Sequence, residues 1–339
     1  MSQTFQRSAY LVLGMHRSGT SATAQLLALA GAELPDNVMP GDEHNAKGYF
    51  EPWKIAIFND QRLRAGGSAW DDPFNLPYQP LEPDAEAQWK ARAVELFRAE
   101  YGEAIHPLLK DPRVSVLLPF WRGVLEEVGM PIRAVIPVRH PLAVAGSLSR
   151  RDAFPVEKSV LLWTIYMLAS EAQTRDAPRA FVSYDQLLAD WRSEVAAMER
   201  ALGAPLPRLD ERAAAAIDEF LTQDLRHNRE LSGLADVPLV GPMAQDVLDW
   251  FTAAAAGRAP DRGPLERAAA QIAQMKSQMG VLVSPVTSQL DSTRAELLHQ
   301  RQLNEVQAKA MRDLERELAV LRRTHAEIES VVDAALARG

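Results

Sequence analysis

The chain has 339 residues, 47% of them apolar, and its 37 basic and 45 acidic residues give a net charge of −8. This suits one large α/β domain with an appendage, or two domains, and it argues against nucleic acid as the main partner, which normally leaves a basic footprint. The absence of cysteine excludes disulfides, thiolate metal sites and cysteine nucleophiles, and no apolar run approaches the length of a membrane span.

Without a signal-like start the chain reads as cytoplasmic. A polyanionic ligand would need local basic clusters on this acidic background, so the position of each Arg and Lys is informative. In chain order, Ala9 to Leu13 reads as a short core strand that stops at Gly14. A loop of small, polar and basic residues follows, then an Ala/Leu-rich helix from Thr20 to about residue 30, with Gly31 as its C-cap. Residues 33 to 50 lack periodicity, and a loop of that length is usually functional or disordered. A helix from about Pro52 to Arg64 ends at Gly66-Gly67, and an amphipathic helix covers about 85 to 104. Pro107 to Lys110 reads as a buried strand, Val114 to Val128 as a helix and Ile132 to Val138 as a core strand. Pro137 lacks a ladder donor, which puts it near that strand's end or on a sheet edge. Helices at about 141 to 151 and 156 to 174, a strand Arg179 to Ser183 and a helix Tyr184 to Leu202 follow. Strands alternating with helices predict an α/β fold with a parallel sheet flanked by helices.

From 205 to 280 the pattern is helical and irregular. Beyond Pro285 a charged segment holds no Gly or Pro from 286 to 338. Met311/Leu314, Leu318/Leu321, Ile328 and Val332/Ala335 keep heptad spacing, with Asn304 and His325 on the same seam. This predicts a coiled coil and homo-oligomer formation through residues 303 to 335. The predicted organisation is a domain at 1–235, a helical and irregular extension at 236–284 and a long helix at 285–339.

The segment Gly14-Met-His-Arg-Ser-Gly-Thr-Ser21 carries the first chemistry. Strand, tight loop and helix gather backbone N–H groups around an anion at a helix N-terminus. Gly14 and Gly19 let the loop curl; Arg17 adds a guanidinium fork, and Ser18, Thr20 and Ser21 add hydroxyls. A Walker A loop would carry Lys at position 20, where this chain has Thr; the basic residue sits inside the loop at Arg17. The R-S-G-T-S pattern resembles the 5′-phosphosulfate loop of sulfotransferases, P-loop-type enzymes that use PAPS (3′-phosphoadenosine 5′-phosphosulfate). Soluble members carry Lys at the Arg17 position, whereas tyrosylprotein and several bacterial members carry Arg.

Three further segments extend the resemblance. Val138-Arg-His-Pro-Leu-Ala-Val-Ala-Gly-Ser147 puts Arg139 at a strand's C-terminal end, where open α/β sheets bind ligands, with Ser147 two turns into the next helix. In sulfotransferases an Arg and a Ser at this spacing hold the 3′-phosphate; the strand that brings a metal-binding Asp to nucleotide triphosphatases ends here in Arg. Leu109-Lys-Asp-Pro-Arg113 is similar to the K-D-P of tyrosylprotein sulfotransferases, which implies that Lys110 meets the bridging or sulfuryl oxygens. Arg113 is left for the 3′-phosphate or an acid on the substrate. Asn45-Ala-Lys-Gly-Tyr-Phe-Glu-Pro52 offers Glu51 as the base for the acceptor hydroxyl. It follows Arg17 by 34 residues, rather than the twenty or so of tyrosylprotein and heparan-type enzymes, so His44 stays open as the rival. Tyr184-Asp-Gln-Leu matches a structural Y-D-x-L of the superfamily, and Leu225-Arg-His-Asn-Arg229 is a late basic cluster placed to close over the nucleotide.

The resemblance covers about residues 8 to 230 and implies transfer of the sulfuryl group of PAPS to an acceptor hydroxyl. Arg17, Ser18, Gly19, Thr20 and Ser21 would hold the phosphosulfate, Arg139 and Ser147 the 3′-phosphate. Arg17 and Lys110 would stabilise the departing phosphate, and Glu51 or His44 would act as base. No metal enters this scheme, and the seven histidines show no H-x-x-x-H spacing. Bacterial relatives with R-S-G-T-S and G-Y-F-E segments are associated with surface glycans, so a carbohydrate hydroxyl is the first acceptor implied. Two alternatives stay open: a P-loop kinase or nucleotide hydrolase, and a non-enzymatic scaffold displaying the coiled coil.

Overall fold

A computed structural model describes residues 7–41, 48–222 and 233–336. Four strands, β1 (Ala9–Val12), β2 (Leu108–Lys110), β3 (Ile132–Val138) and β4 (Arg179–Ser183), form an all-parallel sheet in the order β2-β1-β3-β4. Tyr10 pairs in register with Leu108 on one side and Arg133 on the other, and Val138 with Ser183. The four sequence-predicted strands are all present, and crossover helices join them. These are α1 (Thr20–Leu29), α2 (Trp53–Ala65), α3 (Pro83–Tyr101), α4 (Val114–Glu127), α5 (Pro141–Asp152) and α6 (Val156–Ala172). After β4 come α7 (Tyr184–Ala189), α8 (Trp191–Leu202), α9 (Glu211–Phe220), α10 (Gly241–Ala255) and α11 (Gly263–Leu336).

The period-two alternation of strand side chains divides the core by face. Leu11, Leu109, Ala134 and Ile136 pack among α2, α3, α4, α6 and α10. Tyr10, Val12, Leu108, Val135 and Ala180 pack among α1, α8 and α9. Every residue of β1 is buried, as a strand covered by helices on both faces requires.

Pro137 is the penultimate residue of the interior strand β3, so of the two placements the sequence offers it takes the one near the strand's end. The β1–β3 ladder ends where Leu13 N–H donates to the Val135 carbonyl. The next rung would call on an N–H at 137, so β1 leaves the sheet there and opens into the Gly14 loop. The helix expected over 184 to 202 is two helices: Asp190 breaks it and caps the second, its carboxylate accepting from Ser193 N–H. The final helix starts at Gly263, ahead of Pro285, with Leu265, Ala268 and Ile272 of its first turns in the core. Residues up to Thr287 form one compact unit and residues from Ser288 a second. Among the described residues no helix is long and apolar enough to cross a membrane.

Candidate active site

The C-terminal ends of β1, β2 and β3 deliver the loop 14–20, Lys110 and Arg139 to one edge of the sheet. The loop depends on left-handed backbone at three positions: Gly14 (φ +134°), Arg17 (φ +69°) and Gly19 (φ +89°). The two glycines adopt this without steric cost, while Arg17 is a non-glycine held in a sparsely populated region. Ser115, at the start of α4, braces the loop, its hydroxyl accepting from Gly14 N–H at 2.8 Å. A Cβ at Gly19 would overlap the Tyr184 ring, so the loop packs directly on that aromatic face. Gly19 caps α1 with no side-chain hydrogen bond, so no capping side chain covers the helix N-terminus.

The fold brings Arg17, Arg139 and Ser147 together. Arg17 Nε donates to Ser147 Oγ at 2.8 Å, and Arg139 Nη1 donates to the Arg17 carbonyl at 2.9 Å. The Arg139 guanidinium lies 4.6 Å from the centre of the Tyr184 ring. Tyr184, read from sequence as structural, therefore touches both the loop and the arginine. Among the described residues Arg139 forms no ion pair, and burial pushes its pKa below the usual arginine value. Ser18 is fully buried, and its hydroxyl has no hydrogen-bond partner among the described residues.

Lys110 and Glu51 meet as a buried ion pair. Lys110 Nζ donates to Glu51 Oε1 at 2.6 Å and to the Tyr49 carbonyl at 2.8 Å, with Ser21 Oγ at 3.3 Å. Burial pushes the Lys110 pKa down, and Glu51 pushes it back up. Arg113, which the sequence leaves open for phosphate or a substrate acid, is instead engaged within the protein. It bonds Asp60 at 2.6 Å and Asp111 at 2.8 Å and stands 3.7 Å from Glu51. Although burial opposes it, those three carboxylates hold the Arg113 pKa well above its ordinary value. Asp111 also accepts from Asn59 Nδ2 at 2.7 Å, and Asn59 Oδ1 accepts from Trp121 Nε1 at 2.8 Å. This buried chain fixes the 110–113 segment from α2 and α4. Sequence reading missed it, because the spacing of Asn59, Asp111 and Trp121 carries no local signal.

His16, counted in the sequence only among residues without metal spacing, sits in the loop, its ring centre 4.6 Å from that of Trp70. Its Nε2 is buried without a hydrogen-bond partner among the described residues. Burial, reinforced by Arg113, Arg151, Lys110 and Arg17, lowers its pKa well below the usual histidine value and keeps the ring neutral. His44 and the cluster 225–229 lie outside the described residues.

No protein-family model matches the sequence, and no curated protein matches it. Solved structures similar to it include two sulfotransferase domains. A sulfotransferase domain from the curacin biosynthetic pathway aligns with 73% of this chain and 98% of its own at 14% identity and a TM-score of 0.40. The sulfotransferase domain of the Synechococcus PCC 7002 olefin synthase aligns with 74% and 96% at 17% identity, also with a TM-score of 0.40.

Proposed function

We propose that the chain is a PAPS-dependent sulfotransferase acting on an acceptor hydroxyl, with a carbohydrate as the first acceptor class to test. The observation that carries this reading is Arg139. A part-buried guanidinium at a strand's C-terminal end, with an aromatic face and a carbonyl as neighbours and, among the described residues, no carboxylate at bonding distance (Asp185 acts on it only electrostatically), suits an anion from outside the fold. The donor set around it fits a nucleotide bearing phosphate and phosphosulfate groups. Ser18 supplies an unpartnered buried hydroxyl, and the glycine loop lets backbone approach the ligand closely.

In this reading the α1 N-terminus, Arg17, Ser18, Thr20 and Ser21 hold the 5′-phosphosulfate, and Arg139 and Ser147 hold the 3′-phosphate. PAPS supplies an activated sulfuryl group. Lys110 and Arg17 meet the negative charge that develops on the departing phosphate, where fixed cations act most strongly. Lys110 is held by Glu51 before the donor arrives. When Lys110 turns to the donor, Glu51 loses its nearer cation, with Arg113 still 3.7 Å away, and becomes available to take the acceptor's proton, so one movement arms both groups. His44 is the alternative base.

A thermal-shift panel of PAP, PAPS and Mg-ATP tests the assignment. PAP and PAPS are expected to stabilise the protein without magnesium. Arg139→Ala is expected to weaken PAP binding by about 10- to 100-fold, the equivalent of roughly 1.5–3 kcal/mol for hydrogen bonds to a charged group. Stabilisation by Mg-ATP alone would assign a kinase or hydrolase instead, and no response to any of the three would leave the scaffold reading. Labelled-sulfate transfer to a panel of glycans and hydroxyl compounds then identifies the acceptor.

A further inference from the structure

The second unit, from Ser288 onward, is the C-terminal part of α11. Met311, Leu314, Leu318 and Leu321 alternate at spacings of three and four residues, Ile328 follows one heptad after Leu321, and each of the five is between 48% and 66% exposed. With Met311 at heptad position a, Leu318 is also a, Leu314, Leu321 and Ile328 are d, and Asn304 and His325 take the remaining a positions. We propose that this face pairs with a second copy of the chain as a parallel, in-register, two-stranded coiled coil.

Charge decides the orientation. In a parallel pair each g residue faces the e residue five positions on in the partner helix. Glu317 (g) then meets Arg322 (e) of the other copy, and Glu296 (g) meets Arg301 (e), each twice by symmetry. No described g–e pair from Glu296 to Ile328 brings like charges together. Antiparallel pairing centred on the same seam sets Arg322 against Arg322 of the second copy and gives Glu317 no cation. Asn304 points the same way. A lone Asn at an a position pairs with its own copy only in a parallel, in-register dimer, and it specifies that state at some expense in stability. The proposal does not depend on the donor chemistry of the first unit.

Sedimentation of the full chain is expected to give twice the chain mass. Glu317→Arg is expected to weaken dimerisation by about tenfold, as is Arg322→Glu, since each turns two attractive contacts repulsive. The double exchange Glu317→Arg with Arg322→Glu should restore it. Because the chain has no cysteine of its own, Gln307→Cys at a d position reports orientation, and parallel pairing predicts rapid oxidation to a disulfide-linked dimer. A monomer at all concentrations, a higher oligomer, a double exchange as weak as either single variant, or a dimer that does not cross-link through position 307 would each overturn the proposal.

Discussion

Replacing Glu51 by Gln separates two roles that a simple loss of activity confounds. Glu51 and Lys110 are both almost wholly buried, 2.6 Å apart. Removing one partner of such a pair leaves an uncompensated charge and is expected to cost about 3–5 kcal/mol. At about 2 °C per kcal/mol for a unit of this size, that is roughly a 6–10 °C fall in Tm. Lys110 can relieve the cost by giving up its proton. Its pKa is already lowered by burial, and Glu51 is the largest influence raising it. In the variant the pKa falls further, which fixes the sign of the pH dependence. A depressed folded-state pKa means the unfolded chain binds more protons, so the penalty is full below the folded pKa and fades as pH rises toward the usual lysine value. Thermal unfolding from pH 6 to 10 should therefore show the Glu51→Gln deficit shrinking with pH. PAP affinity should also be lost at lower pH than in the wild type, as Lys110 turns neutral. A deficit that stays constant with pH, or none at all, would refute the coupling and leave Glu51 as a base alone.

Gly19→Ala is expected to abolish PAP binding. It places a Cβ on the Tyr184 ring at φ +89° and adds at least about 1–2 kcal/mol of left-handed backbone strain. Calorimetric titration with PAP checks it, and unchanged affinity would mean that the loop is not the anion site. His16 predicts acid sensitivity. Its ring is held neutral in the fold while the unfolded chain takes up a proton below about pH 6.5. Its contribution is thus complete above that pH and is lost as pH falls from 6.5 toward the folded pKa, at about 1.4 kcal/mol per pH unit. His16→Gln should remove one proton from the slope of denaturant stability against pH between 6.5 and 5, and an unchanged slope would refute the burial argument.

The parts of the fold that a sequence can show are those written in local periodicity. The four strands were legible because each is a short apolar run bounded by turn residues, and the glycine loop because its conformation needs Gly at 14 and 19. Arg17, Arg139 and Ser147 were legible as a set only through the resemblance; the fold adds that Arg17 bonds both. What stayed hidden depends on long-range packing. Nothing near Pro137 in sequence says which neighbour its missing donor would face, and the break at Asp190 is set by a cap inside an otherwise continuous helical pattern. Arg113 looked available for a ligand because Asp60 lies 53 residues away in sequence, yet the two bond at 2.6 Å.

Arg113 also bears on how an acidic chain would host the proposed site for a polyanion. Three of the cations at this edge of the sheet are held in different ways. Arg113 is held by Asp60 and Asp111 at bonding distance, with Glu51 just beyond, so its charge is cancelled inside the protein and its work is to fix the 110–113 turn. Arg139 has, among the described residues, no carboxylate at bonding distance, only the more distant charge of Asp185, and its hydrogen bond to the Arg17 carbonyl supports the strained loop residue. Lys110 stands between these extremes with one exchangeable partner, Glu51. A donor anion therefore meets a loop already braced by one arginine, and competes with a carboxylate at a single point. In the proposed reaction that point is where a cation and a base have to separate, and the Lys110–Glu51 bond would then be the switch between the resting and the armed site.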